Sequence, residues 1–399
     1  MKNFTFERGP FSTCEKCAKN TFGNLSVGGN TLTKRCSNCR HTKRLPLPPL
    51  DKKVIYLDQF AFSLIHNVRT DGRLPKGHEE FAVQLHDQLR RLVLLQQIVL
   101  PHSDIHSDET TVWSKGNELR ATYEFFGGDV RLVDSITIET NQILDAAVSF
   151  ANNGPVLSEF SVDDALEDER NSWLSDMHIS VESDFSAFAD DIRNTRQELF
   201  QRVLELAALW STMSFRQVLD RELNGSGGDK VRAFFNAQDA RKSNDGTLIL
   251  TGELTGIEIE VIELRRIMME AGATEEKAIE SILLFWNSEH FRSLPHHKIS
   301  SYLFAATARR VAAGGKKIIN EGMMNDVRAI SSYAPYLDAM FIDKTSEAIL
   351  EERELREGLS YRSKIFSFKT KNGFLEYLGG LEESTPSNVK ELCKSIYGE

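Results

Sequence analysis

The chain has 399 residues, of which 41% are hydrophobic and 27% charged, with a net charge of −10. At roughly 100–200 residues per domain it is too long for one core, and no apolar run approaches the ~18 residues of a membrane span. The first six residues lack the apolar segment of a secretory signal, so we expect a cytoplasmic protein with no membrane partner.

The five cysteines support this expectation, because they are too few for a disulfide scaffold. Four of them form two CxxC pairs, and Cys393 stands alone. The charge is unevenly distributed. Residues 1–53 hold seven Lys and four Arg against three acidic residues, a net of +8, which leaves −18 for the remainder. A basic segment on an acidic body suggests that the segment meets an anion, such as nucleic acid.

The two CxxC pairs predict a zinc ribbon over residues 1–44. Cys14 and Cys17 are separated by 18 residues from Cys36 and Cys39, within the spacing of four-cysteine zinc sites. Four thiolates complete a tetrahedron and leave no open position, so the zinc would be structural. The glycine-rich stretch between the pairs predicts a short hairpin.

Five basic residues flank the second pair and are candidates for phosphate contacts: Lys34, Arg35, Arg40, Lys43 and Arg44. The alternative is a solvated rim around a module that docks a protein partner. Residues 45–52 contain three prolines, which predicts an extended, semi-rigid linker before the next domain.

The body shows short apolar runs that alternate with helical patterns. Residues 53–57 predict a buried strand that ends at Asp58, residues 79–97 a helix, and residues 98–101 a second strand. Ser103 is a plausible helix N-cap, and His106 and Glu109 would share one face of that helix. Far downstream, Asp326 lies at a predicted helix start. A strand over 337–342 ends at Asp343, and a last strand over 363–368 precedes a helix over 373–381.

This alternation predicts an α/β unit with a parallel sheet flanked by helices. Sites in such sheets form outside the carboxyl ends of the strands. We therefore expect Asp58 and Asp343 there, joined by Glu109 and Asp326. Carboxylates that converge favour a divalent cation, and oxygen ligands suit Mg²⁺ or Mn²⁺. Two ions about 3.5–4 Å apart would serve phosphodiester hydrolysis. The alternative is that these residues are ordinary turn and helix caps.

Three segments, VIYLDQFAFS, LPHSDIHSDE and NDVRAISSYAPYLDAMFIDK, resemble in order the acidic motifs of PIN-like nucleases, in the divergent bacterial branch with an internal insertion. The resemblance covers residues 53–112 and about 295–380. It implies a parallel α/β sheet whose acidic residues bind divalent metal and hydrolyse RNA, less often DNA. By position, Asp58, Glu109, Asp326 and Asp343 correspond to the four catalytic acids.

The resemblance also suggests accessory residues. Asp338 stands where divergent members are often acidic, and Asp104 is a substitute for Glu109. His106 would orient a carboxylate, contact phosphate, or make a structural hydrogen bond. Lys344 would meet the scissile phosphate or lie in solvent.

A long insertion separates the motifs. We assign residues 53–112 and 295–399 to the nuclease domain and residues 113–294 to a mainly helical insertion. Helices are predicted over 197–223, ending at the glycines of 225–228, and over 254–271 and 275–286. The acidic run at 163–169 predicts a solvated face.

Taken together, the sequence predicts a metal-dependent endoribonuclease, by family analogy a toxin or phage-defence effector. The alternative is a non-catalytic module that binds nucleic acid or protein, with a degenerate PIN-like body. The two hypotheses differ in whether the four acids cluster.

Overall fold

A computed structural model describes residues 7–113, 116–128, 130–174, 189–210, 212–241, 254–314 and 322–398. Within these residues, no helix combines the length and the apolarity that a membrane crossing requires.

The N-terminal segment is a four-stranded antiparallel sheet, called the ribbon below. Its strands are β1 (Arg8–Thr13), β2 (Asn20–Gly28), β3 (Thr31–Cys36) and β4 (Thr42–Pro46), and they pair in chain order. The tight turn between β2 and β3 uses Gly29 at φ +54°, a conformation that glycine adopts without steric cost. The predicted hairpin is therefore the centre of a larger sheet, and β4 runs past the predicted boundary at residue 44.

The body contains a second, parallel sheet, whose strands are β5 (Lys53–Leu57), β6 (Ile98–Val99), β7 (Ala339–Phe341) and β8 (Lys364–Phe366). Their order is β6-β5-β7-β8, with Leu57 opposite Phe341. Alternate strand residues enter two separate cores, so both sheet faces are covered. This double burial explains why these strands read as continuous apolar runs, and it confirms the α/β prediction.

Helices cover both faces of the parallel sheet. Those before the insertion are α1 (Gln59–Arg69), α2 (Glu79–Leu94), α3 (Asp104–Thr111) and α4 (Gly116–Gly127). α4 contributes Leu119 and Tyr123 to the core under β5, so the body extends past the predicted boundary at residue 112. The insertion helices are α5 (Ser135–Ala151), α6 (Ala189–Trp210), α7 (Phe215–Ala240), α8 (Gly256–Glu270), α9 (Glu275–Trp286) and α10 (Glu289–Arg292). The last six are α11 (Pro295–Ala312), α12 (Met323–Tyr333), α13 (Lys344–Leu350), α14 (Arg353–Gly358), α15 (Lys371–Glu383) and α16 (Ser387–Tyr397).

The predicted helix over 197–223 is wrong in its bounds, although α8 and α9 lie where expected. α6 ends at Trp210, and Ser214 caps α7 by accepting a hydrogen bond from the backbone N–H of Gln217. The glycines of 225–228 lie inside α7. A Cβ at Gly227 would lie 2.1 Å from the carbonyl oxygen of Trp286, so glycine permits a close approach of α9 there.

The predicted linker is a packed segment. Leu47 is buried beside Trp173 and residues of α16, including Val389 and Cys393. The indole N–H of Trp173 donates to the carbonyl oxygen of Pro48 at 2.9 Å. The ribbon is thereby docked on the body near Leu95, just before β6. It lies toward the amino ends of the parallel strands, away from Asp58 and Asp343.

Candidate metal centres

The four ribbon cysteines form a compact cluster. Their sulfur atoms all lie within 4.8 Å of one another, with 3.6 Å between Cys14 and Cys39 and 3.6 Å between Cys17 and Cys36. A tetrahedral zinc with Zn–S bonds of ~2.3 Å separates its sulfurs by about 3.8 Å. The cluster could therefore hold a zinc ion, as its spacing predicts.

The local backbone prepares these sulfurs for a metal. The backbone N–H of Lys16 points at the sulfur of Cys14, and that of Cys39 at the sulfur of Cys36, each at 3.4 Å. Burial opposes ionisation of Cys36, but hydrogen bonds from Thr21 and from backbone N–H groups lower its pKa to about 6. In the same cluster, burial and the neighbouring cysteines raise the pKa of Cys39, so the metal-free cluster favours one thiolate over the other. Thiolates are the form that binds zinc.

The basic residues of the ribbon do not form a single patch. Lys34 on β3 lies opposite Lys43 on β4, while Arg44 lies opposite Thr33. Because neighbouring strand residues point to opposite faces, the lysine pair and Arg44 lie on different sides of the sheet. Lys43 is bound to Glu15 at 2.7 Å.

Arg35, on the same face as Arg44, is bound to the buried Glu7. Arg40 lies in the second cysteine turn at φ +61°. The ribbon therefore offers separate cations on two faces, rather than the single contact surface that five clustered basic residues would make.

Asp58 lies at the carboxyl end of β5, as predicted. Its backbone N–H donates to the carbonyl oxygen of Phe341 on β7 at 2.9 Å, which extends the parallel pairing by one residue. The side chain caps α1 and accepts a hydrogen bond from the backbone N–H of Gln59 at 2.7 Å. The carboxylate is thus held by a strand end and a helix start.

Asp343 follows β7 after one further residue, Ile342. It caps α13 and accepts hydrogen bonds from the backbone N–H groups of Thr345 and Ser346. Because β5 and β7 are adjacent parallel strands, about 4.8 Å apart, Asp58 and Asp343 emerge at the same edge of the sheet. Asp58 and Asp343 are therefore helix caps, and they also lie at the same edge of the sheet.

Glu109 and Asp326 approach this edge from two helices. Glu109 lies in the last turn of α3, rather than at the predicted helix start, and Asp326 lies in the first turn of α12. The side-chain amide of Asn325 donates to Glu109 at 2.9 Å and ties the two helices together. Asn325 directly precedes Asp326 and is not among the residues predicted for the site.

The four carboxylates act on one another electrostatically. Burial and repulsion from Asp58, Asp343 and Glu109 raise the pKa of Asp326 to about 9. Burial and repulsion from Glu109 and Asp343 raise the pKa of Asp58 to about 7. Burial also raises the pKa of Glu109. The raised pKa values of Asp58 and Asp326 are the behaviour expected of buried acids that lie near other carboxylates.

The acidic cluster is wider than the cysteine cluster. Among the described residues, only the four cysteines form a group of three or more possible ligands within 4.8 Å of one another. Cap hydrogen bonds hold the carboxylates of Asp58 and Asp343 at the starts of their helices. The donor set is oxygen-only, which fits Mg²⁺ or Mn²⁺.

Two of the accessory candidates have structural roles. His106 is fully buried, which lowers its pKa to about 3. Its Nε2 lies 2.8 Å from the carbonyl oxygen of Leu57, and its Nδ1 accepts from the backbone N–H of Ser103. The neutral ring therefore joins the start of α3 to the end of β5 and does not contact phosphate. Asp104 binds Arg328 and, at 2.9 Å, Tyr333, so it is not a substitute for Glu109.

The other two accessory candidates lie off the cluster. Asp338 precedes β7, at the amino edge of the sheet, where it accepts from the backbone N–H of Val54 at 3.0 Å and from Arg362 at 2.9 Å. It is therefore remote from Asp343 along the strand. Lys344 is exposed, with its Nζ 5.5 Å from the ring centre of Phe368, as the solvated interpretation predicts.

No protein-family model, curated protein sequence or solved structure matches this chain. Its function is therefore inferred from its own residues.

Proposed function

We propose that the protein is a metal-dependent nuclease with a PIN-like body, and that RNA is its substrate. The proposal rests on one observation. Four carboxylates from distant parts of the chain, Asp58, Glu109, Asp326 and Asp343, approach the carboxyl edge of the parallel sheet, where burial and the charges of the neighbouring acids raise the pKa of Asp58 and of Asp326. Clustered desolvated acids are costly unless a cation or a reaction uses them.

These four residues would hold Mg²⁺ or Mn²⁺. Such an ion, when bound, supplies a water of lowered pKa and positive charge for the phosphate oxygens. Asp58 and Asp343 present carboxylates from rigid strand ends, and the amide of Asn325 orients Glu109. Because the pKa of Asp326 is about 9 without metal, it is protonated at neutral pH and would release its proton as the cation binds.

The ribbon would hold a structural zinc and give the protein a second contact with its target. It docks near the amino ends of the strands, so a substrate that reached both sites would extend beyond the sheet. Lys34 and Arg44, on opposite faces of the ribbon, are candidates for phosphate contact. A toxin or phage-defence role in the cytoplasm remains part of this proposal through the family resemblance.

A second candidate is a binding module with a degenerate site. It is favoured by the helix caps that Asp58 and Asp343 form and by the width of the cluster. Under this alternative the ribbon would bind nucleic acid or a protein, and the body would only support it.

The distinguishing experiment is cleavage of labelled single-stranded RNA and DNA by the zinc-loaded full chain in Mn²⁺ or Mg²⁺. The test variant carries Asp58→Asn and Asp343→Asn, because asparagine keeps both cap acceptors but removes the charges. Asp338→Asn is the matched control, since it removes a carboxylate at the other end of β7. We expect metal-dependent cleavage of RNA by the wild type and the control only. Equal cleavage by all three proteins, or by none, would contradict the proposal.

A further inference from the structure

Arg196 interrupts the buried face of α6. Four residues of this helix, Ala189, Arg196, Val203 and Trp210, follow one another at seven-residue intervals, which places them on one face. The other three are buried, at 9%, 5% and 2% exposure. Arg196 itself is half-buried, and a charged side chain in such a row is unusual, because burial of an unpaired charge is costly.

α6 runs past the two helices that carry Glu109 and Asp326. Near its start, Arg193 donates to the carbonyl oxygen of Val112, at the end of α3, at 3.1 Å. Toward its end, Val203 and Trp210 pack with Met323 at the start of α12. Arg196 therefore lies on the helix face that is directed at the acidic cluster.

The guanidinium of Arg196 is incompletely used. Its Nη2 atom is buried and has no hydrogen-bond partner among the described residues. Its positive charge interacts with the carboxylates of Asp108 and Glu109 on α3. A buried hydrogen-bond donor without a partner usually has a catalytic role or binds a water molecule or a ligand.

We propose that Arg196 is a phosphate ligand of the acidic site, and that the helical insertion serves to bring this cation to the backbone of the nucleic acid. The inference rests on the proposed function. Four carboxylates repel a polyanion, and a guanidinium beside them offsets this repulsion for the phosphodiester that approaches the cluster. Arginine suits the role because its planar fork can donate two hydrogen bonds to one phosphate.

The first arm of the test is cleavage of a short labelled oligouridine RNA in Mn²⁺ by the zinc-loaded full chain. We expect Arg196→Ala to lower kcat/KM about 10²-fold, the typical effect of removing one donor to a developing anion. Arg196→Lys keeps the charge and is expected to recover part of the loss. Arg202→Ala is the matched control, because Arg202 is exposed on the same helix and off the buried row. We expect it to stay within about twofold of the wild type.

The second arm measures binding of the same oligouridine in Ca²⁺ by fluorescence anisotropy at several salt concentrations. Arg196→Ala is expected to reduce the slope of log K against log salt by about one contact, with an unchanged melting temperature. If the wild type binds the RNA in Ca²⁺ but does not cleave it in Mn²⁺, the nuclease proposal fails. The salt slope of binding still decides in that case whether Arg196 contacts phosphate. An unchanged slope in Arg196→Ala overturns the inference, as does a wild type that neither binds nor cleaves.

Discussion

The repulsion among the four acids predicts that Asp326→Asn stabilises the protein when Mg²⁺ and Mn²⁺ are absent. In the folded state the pKa of Asp326 is raised from 3.8 to about 9. Between these values the folded protein keeps a proton that the unfolded chain loses, so stability falls as pH rises through this window. Asparagine cannot ionise and removes this loss, so the advantage of the variant grows with pH.

The size of the effect follows from about 1.4 kcal/mol per pH unit for one fully shifted group. From about pH 5 to about pH 8, three units give an upper bound of about 4 kcal/mol. Because the four acids titrate as a coupled set, the neighbours absorb part of the change. We expect the advantage of Asp326→Asn over the wild type to be about 2 kcal/mol larger at the higher pH.

Urea unfolding of the zinc-loaded protein measures this difference, with Mg²⁺ and Mn²⁺ removed by a resin before zinc is restored, since a soluble chelator would strip the ribbon. Addition of Mn²⁺ is expected to raise the urea midpoint of the wild type and to leave that of the variant nearly unchanged. Asp338→Asn is the control, because it lies outside the cluster. A variant that is equally stable or less stable than the wild type at both pH values would refute the reasoning.

Three further predictions concern the scaffold. Gly227→Ala is expected to lower the free energy of unfolding by more than about 1 kcal/mol, because the new methyl group would clash with the backbone of Trp286. Gly225→Ala is the control: its methyl group meets nothing within 4 Å, and it is expected to raise the free energy of unfolding by about 0.5–1 kcal/mol. Equal effects of the two substitutions in thermal melts would be inconsistent with the close approach of α9 to Gly227. Cys36→Ser is expected to abolish binding of one zinc per chain, measured with a colorimetric chelator, and to lower the melting temperature because the ribbon docks on the body; full zinc retention would exclude the cysteine site. His106→Ala is expected to lower the free energy of unfolding by about 3 kcal/mol, because it leaves a cavity and two unpaired backbone groups, the N–H of Ser103 and the carbonyl oxygen of Leu57. Cleavage is expected to fall as the folded fraction falls. An unchanged urea midpoint would refute the role assigned to this ring.

The strand-end acids could be predicted from the sequence because their signal is local. Residues 53–57 and 339–341 are buried on both faces and therefore appear as short apolar runs. Asp58 follows the first run directly, and Asp343 follows the second after Ile342. In a parallel sheet these ends share one edge, so the convergence of Asp58 and Asp343 followed from the alternation of elements. The cysteine cluster was equally accessible, because its ligand spacing is itself local.

Features that depend on distant partners could not be predicted. The glycines within α7 resembled a helix end, and only the approach of Trp286 explains why Gly227 lies inside a helix. The prolines before the body indicated a spacer, but Leu47 finds its partners in Trp173 and in the unpredicted α16. The sequence also could not show that basic residues of the ribbon lie on opposite faces of its sheet. That placement follows from the strand register, which puts Lys34 and Arg44 on different sides.

The sequence does not assign a role to Arg196. It stands in a row of apolar residues at seven-residue spacing, and an arginine in such a row usually carries its charged end out to solvent. Its role depends on the position of α6 beside the end of α3 and the start of α12, which the sequence does not show.

The most direct test of the central claim is titration of Mn²⁺ into the zinc-loaded protein, with the concentration of free Mn²⁺ measured by electron paramagnetic resonance. The account predicts saturable binding by the wild type that strengthens as pH rises through the range in which Asp58 and Asp326 lose their protons. It predicts that this binding is lost in the variant with Asp58→Asn and Asp343→Asn and kept in Asp338→Asn. Equal binding by all three proteins, or none by the wild type, would contradict the claim that these four carboxylates form a divalent-metal site.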